Sequence, residues 1–231
     1  MVEERTSTSI ERIIKISERT GSTIKRSVDP INSTSVSIQR RTIPIGNYFD
    51  SSYFFGNHEG GYTNYTQTQK WFSGIADDIL TYYNPANFNN KKALDIGCAF
   101  GYLVDELNSR GLETWGMDYS SYAIGQAETL FPSLSSYFSI ENLITGTSFS
   151  NNEFDLIVAM GVPECLTDTE KDIVLTEVTR ILKNAGKFYI LTDSTNDFYN
   201  WSTIQYWLDK GFGTSEDVGH LPLLYELRVT K

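Results

Sequence analysis

From Gln67 onward the apolar positions of the chain alternate between two periods. Trp71, Phe72, Ile75, Ile79 and Leu80 recur at helical spacing, and short apolar runs at 92–96, 113–118, 136–140, 155–160 and 187–192 read as strands. Helical patterns at 101–110, 120–130 and 168–183 fill the gaps between them. A further helix at 200–210, closed by Lys210-Gly211-Phe212, leads to Leu223–Val229, which reads as a last strand. Gly213 to His220 is poor strand sequence and predicts a short sixth strand before it. Strands alternating with helices imply a mostly parallel sheet covered on both faces.

The start of the chain breaks this rhythm. Residues 1–46 are rich in Ser and Thr and carry eight Lys/Arg against five Asp/Glu, whereas the remainder carries eleven against twenty-four. Within this extension Ile10, Ile13, Ile14 and Ile16 give a short, imperfect amphipathic helix. It reads as a tail or surface helix, with a lid or a contact to a second subunit as the functional alternative. Residues 47–65 set aromatics densely among glycines, the composition of a loop that closes over a site. Plain aromatic packing against the sheet edge is the structural alternative. The main domain then spans 66–231.

A chain of 231 residues suffices for one large α/β domain with such an extension. The net charge of −10 argues against a nucleic-acid partner, whose phosphates call for a basic stripe. Cys98 and Cys165 have no metal-ligand spacing, so no metal centre is expected, and they read as reduced thiols. No apolar run reaches the length of a bilayer span, and the N-terminus lacks the apolar stretch of a secretory signal. The expectation is a soluble, cytoplasmic protein without a membrane partner, as a monomer or a homodimer.

Two segments carry the chemistry: Leu94-Asp95-Ile96-Gly97-Cys98-Ala99-Phe100-Gly101, and Trp115-Gly116-Met117-Asp118-Tyr119-Ser120. A strand enters a glycine turn, a helix follows, and a second strand ends in a carboxylate 17 residues after Gly101. Gly97 and Gly101 let the backbone turn sharply and let a ligand approach the next helix. The spacing Asp-x-Gly-x-x-x-Gly departs from the Gly-x-Gly-x-x-Gly of a dinucleotide site, which makes a nicotinamide-dependent oxidoreductase the weaker reading. Asp118 is placed to meet ribose hydroxyls; capping the following helix, as Ser120 also could, is its structural alternative.

Both segments resemble the class I S-adenosylmethionine-dependent methyltransferases, whose first motif is Asp/Glu-x-Gly-x-Gly/Ala-x-Gly and whose second strand commonly ends Gly-x-Asp-x-Ser. The resemblance continues through Phe154–Met160 and Glu177–Lys187 and covers about residues 65 to 193. It implies a Rossmann-like α/β fold: a mostly parallel seven-stranded sheet with helices on both faces and an antiparallel last strand. S-adenosylmethionine is the implied cofactor. Gly97, Cys98, Ala99 and Gly101 would then form the turn along its methionine part, with Asp95 orienting that turn or holding the amino group through water. Asp118 would accept from both ribose hydroxyls, with Met117 and Tyr119 beside the adenine. Glu141 and Asn142 would meet the adenine edge, with a solvated carboxylate as the alternative for Glu141. The Met160 carbonyl and the loop Gly161 to Leu166 would lie near the sulfonium and the acceptor. Cys98 reads as a small packing residue.

Two departures from the family pattern stand out. Where relatives often have Pro-Gly-Gly, this chain has Asn184-Ala185-Gly186, and Gly186 is expected to supply a left-handed helix cap. Where relatives often have Leu-Glu-His-Leu, it has Pro163-Glu164-Cys165-Leu166, so that histidine is absent.

Methyl transfer from a sulfonium requires an acceptor held in line, water excluded and, for a hydroxyl, a proton removed. Candidate bases are His58, Glu164, His220, Tyr53 and Tyr62. His58 comes first because it sits in the lid and an imidazole titrates near neutral pH, although a solvated loop histidine is the plainer reading. A carboxylate acceptor needs no base. The sequence thus reads as a methyltransferase acting on a small-molecule or peptide-like acceptor, at oxygen rather than nitrogen or carbon. The alternative is a methyltransferase-fold protein that binds the cofactor without transferring the methyl group, as a partner subunit or sensor.

Overall fold

The computed structural model describes residues 49–56, 61–191, 210, 213–215 and 224–228. The expected N-terminal helix around Ile10–Ile16, the helix at 200–210, and the candidates His58 and His220 lie outside the described residues. The strands are β1 (Lys92–Ile96), β2 (Glu113–Asp118), β3 (Phe138–Ile140), β4 (Phe154–Met160), β5 (Leu182–Leu191), β6 (Gly213–Ser215) and β7 (Leu224–Arg228). They form one sheet in the order β3-β2-β1-β4-β5-β7-β6. β1 to β5 pair in parallel, and β7 runs antiparallel to β5 and β6. The mostly parallel, helix-covered sheet expected from the alternation is present.

Burial on both faces explains why the central strands read as continuous apolar runs. Along β4, Leu156 and Val158 enter one core while Ile157 and Ala159 enter the other. The first core is completed by α2 (Gln69–Tyr83) and α3 (Tyr102–Ser109), after a single helical turn α1 (Ser51–Phe54). The second is completed by α5 (Asp168–Ile181), through Val174, Val178 and Ile181 at helical spacing. α4 (Ser121–Leu130) closes a smaller cluster of Cys98, Val104, Ile124, Ala127 and Phe138. α5 begins on a capping box, in which Thr167 Oγ1 accepts from the Glu170 amide and Glu170 Oε2 accepts from the Thr167 amide.

Four expectations are corrected here. Trp71 is 57% exposed, because the buried stripe of α2 is Phe72, Ala76, Ile79 and Tyr83, one position out of phase with it. The α5 pattern stops at Ile181, and β5 starts at once with Leu182 paired to Phe154; a register shift follows before Lys187 pairs with Leu156. Inside that irregularity Ala185, at φ 61°, takes the left-handed position expected of Gly186. Gly186 is required for space instead: a β-carbon there would lie 2.8 Å from Leu182 Cγ and 2.9 Å from the Lys183 carbonyl oxygen. The strand expected at 136–140 is shortened to three residues because Pro132 opens a 3-10 turn that runs to Tyr137.

The loop after β3 is pinned to α5 by one ion pair. Glu177 Oε1 accepts from the Thr147 amide at 2.8 Å and its hydroxyl at 2.7 Å, and Arg180 binds both Glu177 oxygens, at 2.6 and 2.8 Å. Arg180 also donates to the Phe149 carbonyl at 2.8 Å. The Arg180 hydrogen bond, followed by those from Thr147, holds the Glu177 carboxyl down at about 2, from its ordinary 4.5. A carboxylate depressed on folding stabilises the fold above its unfolded pKa and loses that contribution as pH falls through its folded pKa. Glu177→Gln is therefore expected to lower stability at neutral pH. It should also flatten the stability profile between about pH 4.5 and about pH 2, as followed by urea unfolding across that range.

Candidate cofactor site

The strand order runs outward from β1 to β2 and β3 on one side and from β4 to β5 on the other, so the connections leaving β1 and β4 diverge. A crevice at the carboxyl ends of the strands follows, the place where ligands bind in open α/β sheets.

The turn after β1 occupies this crevice in an unusual backbone conformation. Gly97, Ala99 and Gly101 all have positive φ, at 73°, 48° and 78°. Glycine adopts this region without penalty, but Ala99 does not, and a specific bond offsets the cost: its amide donates to Asp118 Oδ2 at 2.9 Å. The Gly97 and Cys98 amides both donate to the Met117 carbonyl, at 2.8 and 3.0 Å. Both glycines are also required for close approach. A β-carbon on Gly97 would lie 2.2 Å from Val162 Cγ2, and one on Gly101 would lie 2.6 Å from the Phe138 ring. Val162 belongs to the loop after β4, so the turns that flank the crevice touch at Gly97.

Asp118 is a tie between two turns. Its second oxygen accepts from the Ser120 amide at 2.8 Å. Ser120, not Asp118, caps α4, accepting from the Ala123 amide at 3.0 Å. Burial pushes the Asp118 carboxyl up, against the pull of its amide bonds. Two of roughly four acceptor positions on the carboxylate remain for a ligand. Asp95 has no such support. It is 4% exposed and makes no side-chain hydrogen bond among the described residues; burial, then the charge of Asp118, pushes its carboxyl well above the usual range. Two acids share the crevice floor, and among the described residues no cation pairs with either.

An aromatic strap covers this floor. Phe54 of α1 packs on Phe100 of the glycine turn with ring centroids 4.8 Å apart, and on Tyr65 at 5.4 Å. Tyr65 in turn meets Phe100 edge-on at 4.9 Å. The Tyr62 amide donates to the Tyr53 carbonyl at 2.7 Å, and a β-carbon on Gly61 would fall 2.3 Å from that same oxygen. Ser120 Oγ donates to the Phe49 carbonyl, which fastens the strap to the turn after β2.

The remaining candidates are spread unevenly around this centre. Met117 is 2% exposed and belongs to the core, so it offers the turn its carbonyl, while Tyr119 beside it is 41% exposed. Glu141 continues the β2 end through its amide, which donates to the Asp118 carbonyl at 3.1 Å, and its Oε1 accepts from Ser148 at 2.5 Å. Asn142 Oδ1 is engaged in its own turn, accepting from the Ile144 amide at 3.0 Å. Met160 ends β4 opposite Leu191, and Glu164 lies in the 3-10 turn Pro163–Cys165. Cys98 is buried in the small cluster with Val104, and burial pushes its thiol up, which is the behaviour of a packing residue. Tyr53 and Tyr62 face each other edge-on at 5.6 Å in the strap. Sequence patterns missed Tyr65, Phe100 and Val162. The available signal was Asn64, whose Oδ1 caps the turn Tyr65–Thr68 by accepting from the Thr66 amide at 3.1 Å.

Among the described residues no group of three or more His, Cys, Asp or Glu could hold a metal ion, and no helix is long and apolar enough to cross a membrane. The methyltransferase-domain family model matches residues 94–190, from within β1 to within β5. Among solved structures, the PH0226 protein of Pyrococcus horikoshii superposes with a TM-score of 0.60 at 18% identity, covering 79% of this chain and 97% of that one. A TehB-like SAM-dependent methyltransferase from Corynebacterium glutamicum gives 0.56 at 20% identity, covering 73% and 97%. Magnesium protoporphyrin IX methyltransferase from Synechocystis, solved with bound SAM, gives 0.54 at 16%, covering 79% and 94%. At these identities the superpositions establish the fold. Among curated proteins no sequence matches the chain. The glycine turn and the acid that ends β2 both lie within the matched segment, which spans less than half of the chain and is similar to the class I S-adenosylmethionine-dependent methyltransferases.

Proposed function

We propose that this enzyme methylates an oxygen of a small-molecule or peptide-like acceptor, with the cofactor lying across the turn 97–101 and the acceptor between the strap and the loop 161–166. The observation that carries the placement is the uncompensated acid pair. Asp95 is buried and Asp118 partly buried, neither has a cationic partner among the described residues, and a cationic ligand supplies what they lack. The cofactor brings an electrophilic methyl group on a positively charged sulfur.

Around it, the residues of this chain bind and orient. Asp118 accepts from the ribose hydroxyls at its two unused positions. The backbone of Gly97 to Ala99 follows the methionine part. Tyr119 and Ile140, the latter 58% exposed at the end of β3, flank the adenine, and Glu141 reaches its edge. The Met160 carbonyl faces the sulfur side. The strap excludes water and presents flat apolar surface, which suits an apolar or aromatic acceptor.

The titratable groups support oxygen as the acceptor atom. The buried groups beside the turn, Tyr65 and Cys98, are held protonated, so neither is a base. A carboxylate acceptor attacks without losing a proton: its oxygen bonds to the methyl carbon as the carbon–sulfur bond breaks. For a hydroxyl acceptor the proton would pass to Tyr53, Tyr62, Glu164, His58 or His220.

Thermal unfolding with S-adenosylmethionine, S-adenosylhomocysteine and NAD tests the site. The first two are expected to add about 2.7 kcal/mol at a hundred times their dissociation constants, and NAD nothing. Protection by NAD alone would overturn the assignment. The acceptor atom is read by transferring labelled methyl groups to candidate acceptors and treating the products with mild base. A methyl ester releases its label as methanol, whereas a methyl ether, N-methyl or C-methyl product retains it, and these three are told apart by the carbon-13 chemical shift of the transferred methyl group.

A further inference from the structure

Ser120 ties three elements together within one residue. Its amide donates to Asp118 Oδ1 at 2.8 Å, so its backbone rests on the acid that ends β2. Its hydroxyl accepts from the Ala123 amide at 3.0 Å, which caps α4. The same hydroxyl donates its proton to the Phe49 carbonyl, 71 positions earlier in the chain, at the start of the strap. Donor and acceptor capacity are thus both in use, and the residue is 5% exposed, so water has little access to replace either bond. A helix cap needs only the acceptor. The donated bond has no part in starting α4, and it is the one that reaches the strap. Beside it, Tyr122 of α4 packs on Phe54 with centroids 6.0 Å apart and on Phe100 at 6.2 Å, so the strap lies against the glycine turn and the start of α4 together.

We propose that Ser120 is a positioning residue that couples the cofactor to the strap, its amide following the state of Asp118 and its hydroxyl holding the strap at Phe49. This rests on the cofactor reading above and extends it to an element outside the matched segment 94–190. Burial raises the Asp118 carboxyl; hydroxyl donors from a bound ribose favour its ionised form, and an ionised acceptor holds the Ser120 amide more tightly. Ser120 is then fixed for its bond to Phe49, and the strap is steadied over a site that already holds its cofactor. The acceptor, lying under the strap, binds second. Coupling of this kind is reciprocal, so the steadied strap in turn retains the cofactor.

Hydrogen exchange at single amides, with and without saturating S-adenosylhomocysteine, tests the coupling. The amides of Phe55 and Tyr62, bonded to the Ser51 and Tyr53 carbonyls at 3.1 and 2.7 Å, report the strap, and the Ala99 amide reports the site itself. In the wild type the ligand is expected to slow exchange at Ala99 and to slow the two strap amides by about tenfold, within the usual range of coupling between sites. Ser120→Gly removes the hydroxyl at little cost to the helix, since glycine is tolerated at a helix start. It should keep the response at Ala99 and lose the response of the strap, while Ser120→Thr, which keeps the hydroxyl, should respond as the wild type does. Saturation sets aside any difference in affinity between the variants. Equal slowing of the strap in Ser120→Gly and the wild type would overturn the coupling. So would a strap that does not respond in the wild type or in Ser120→Thr while Ala99 does, or a Ser120→Gly variant that loses the Ala99 response as well. No response at Ala99 in the wild type would overturn the cofactor reading instead.

Discussion

Asp118→Ala is expected to weaken S-adenosylhomocysteine binding by at least about a hundredfold. The variant removes an ionised acceptor for two ribose hydroxyls, and each hydrogen bond to a charged group contributes about 1.5–3 kcal/mol. A second effect runs in the same direction. The Ala99 amide loses its partner at 2.9 Å and the Ser120 amide its partner at 2.8 Å, so the turn that receives the methionine part loses its tie to the end of β2. Asp118→Asn separates the two contributions, because an amide oxygen can still accept from one of those backbone groups. It is expected to recover the turn, seen as protection of the Ala99 amide from exchange, without recovering affinity. Calorimetry with S-adenosylhomocysteine decides the matter, and full affinity in Asp118→Ala would place the ribose elsewhere.

The second large effect is expected at Gly97. Gly97→Ala forces a side chain into the left-handed region, at about 1–2 kcal/mol, and puts its β-carbon 2.2 Å from Val162 Cγ2. Relief of that overlap requires the loop after β4 to retreat, and overpacking of this kind adds about 1–3 kcal/mol. The expected total is about 2–5 kcal/mol, read as a fall in the urea midpoint at unchanged slope. In a double-mutant cycle, Val162→Ala should restore the steric part and leave the backbone strain. Strict additivity of the two substitutions would show that the two turns do not bear on each other.

What could be read from the sequence divides along a physical line. β1 and β2 were predicted to the residue, because each is a short apolar run bounded by polar or glycine punctuation and buried on both faces. The glycine turn and Asp118 were legible for a related reason, since their backbone requirements leave few residue choices. The junction of α5 and β5 was not. Leu182 and Lys183 continue the helical pattern, and only the pairing of Leu182 with Phe154 across the sheet draws them into a strand. Trp71 was placed on the buried side of its helix because hydrophobicity alone does not give phase; Ala76 and Tyr83 fix that phase in the fold. Met117 shows the same limit at the site, since a residue next to a functional carboxylate in a strand points to the opposite face. Tyr65 was hidden because its importance comes from what its ring meets, Phe100 and Tyr102, which lie 35 and 37 positions further along the chain. Such meetings have no local signature.

The central pairing of β1 with β4 also has a consequence for how the protein is made. Leu94 sits beside Ile157, and everything that builds the turn and its acid, from Gly97 through Asp118, lies in the stretch of chain between them. Pairing of this kind closes a long loop before it is rewarded, so parallel crossovers of this type fold slowly compared with helical bundles. During synthesis the segment bearing Asp95 and Asp118 leaves the ribosome before the strand that must shelter it, and it waits with its apolar edge open. The crevice thus takes shape only when β4 arrives, which makes the newly made chain most exposed to aggregation while its binding site is still unformed.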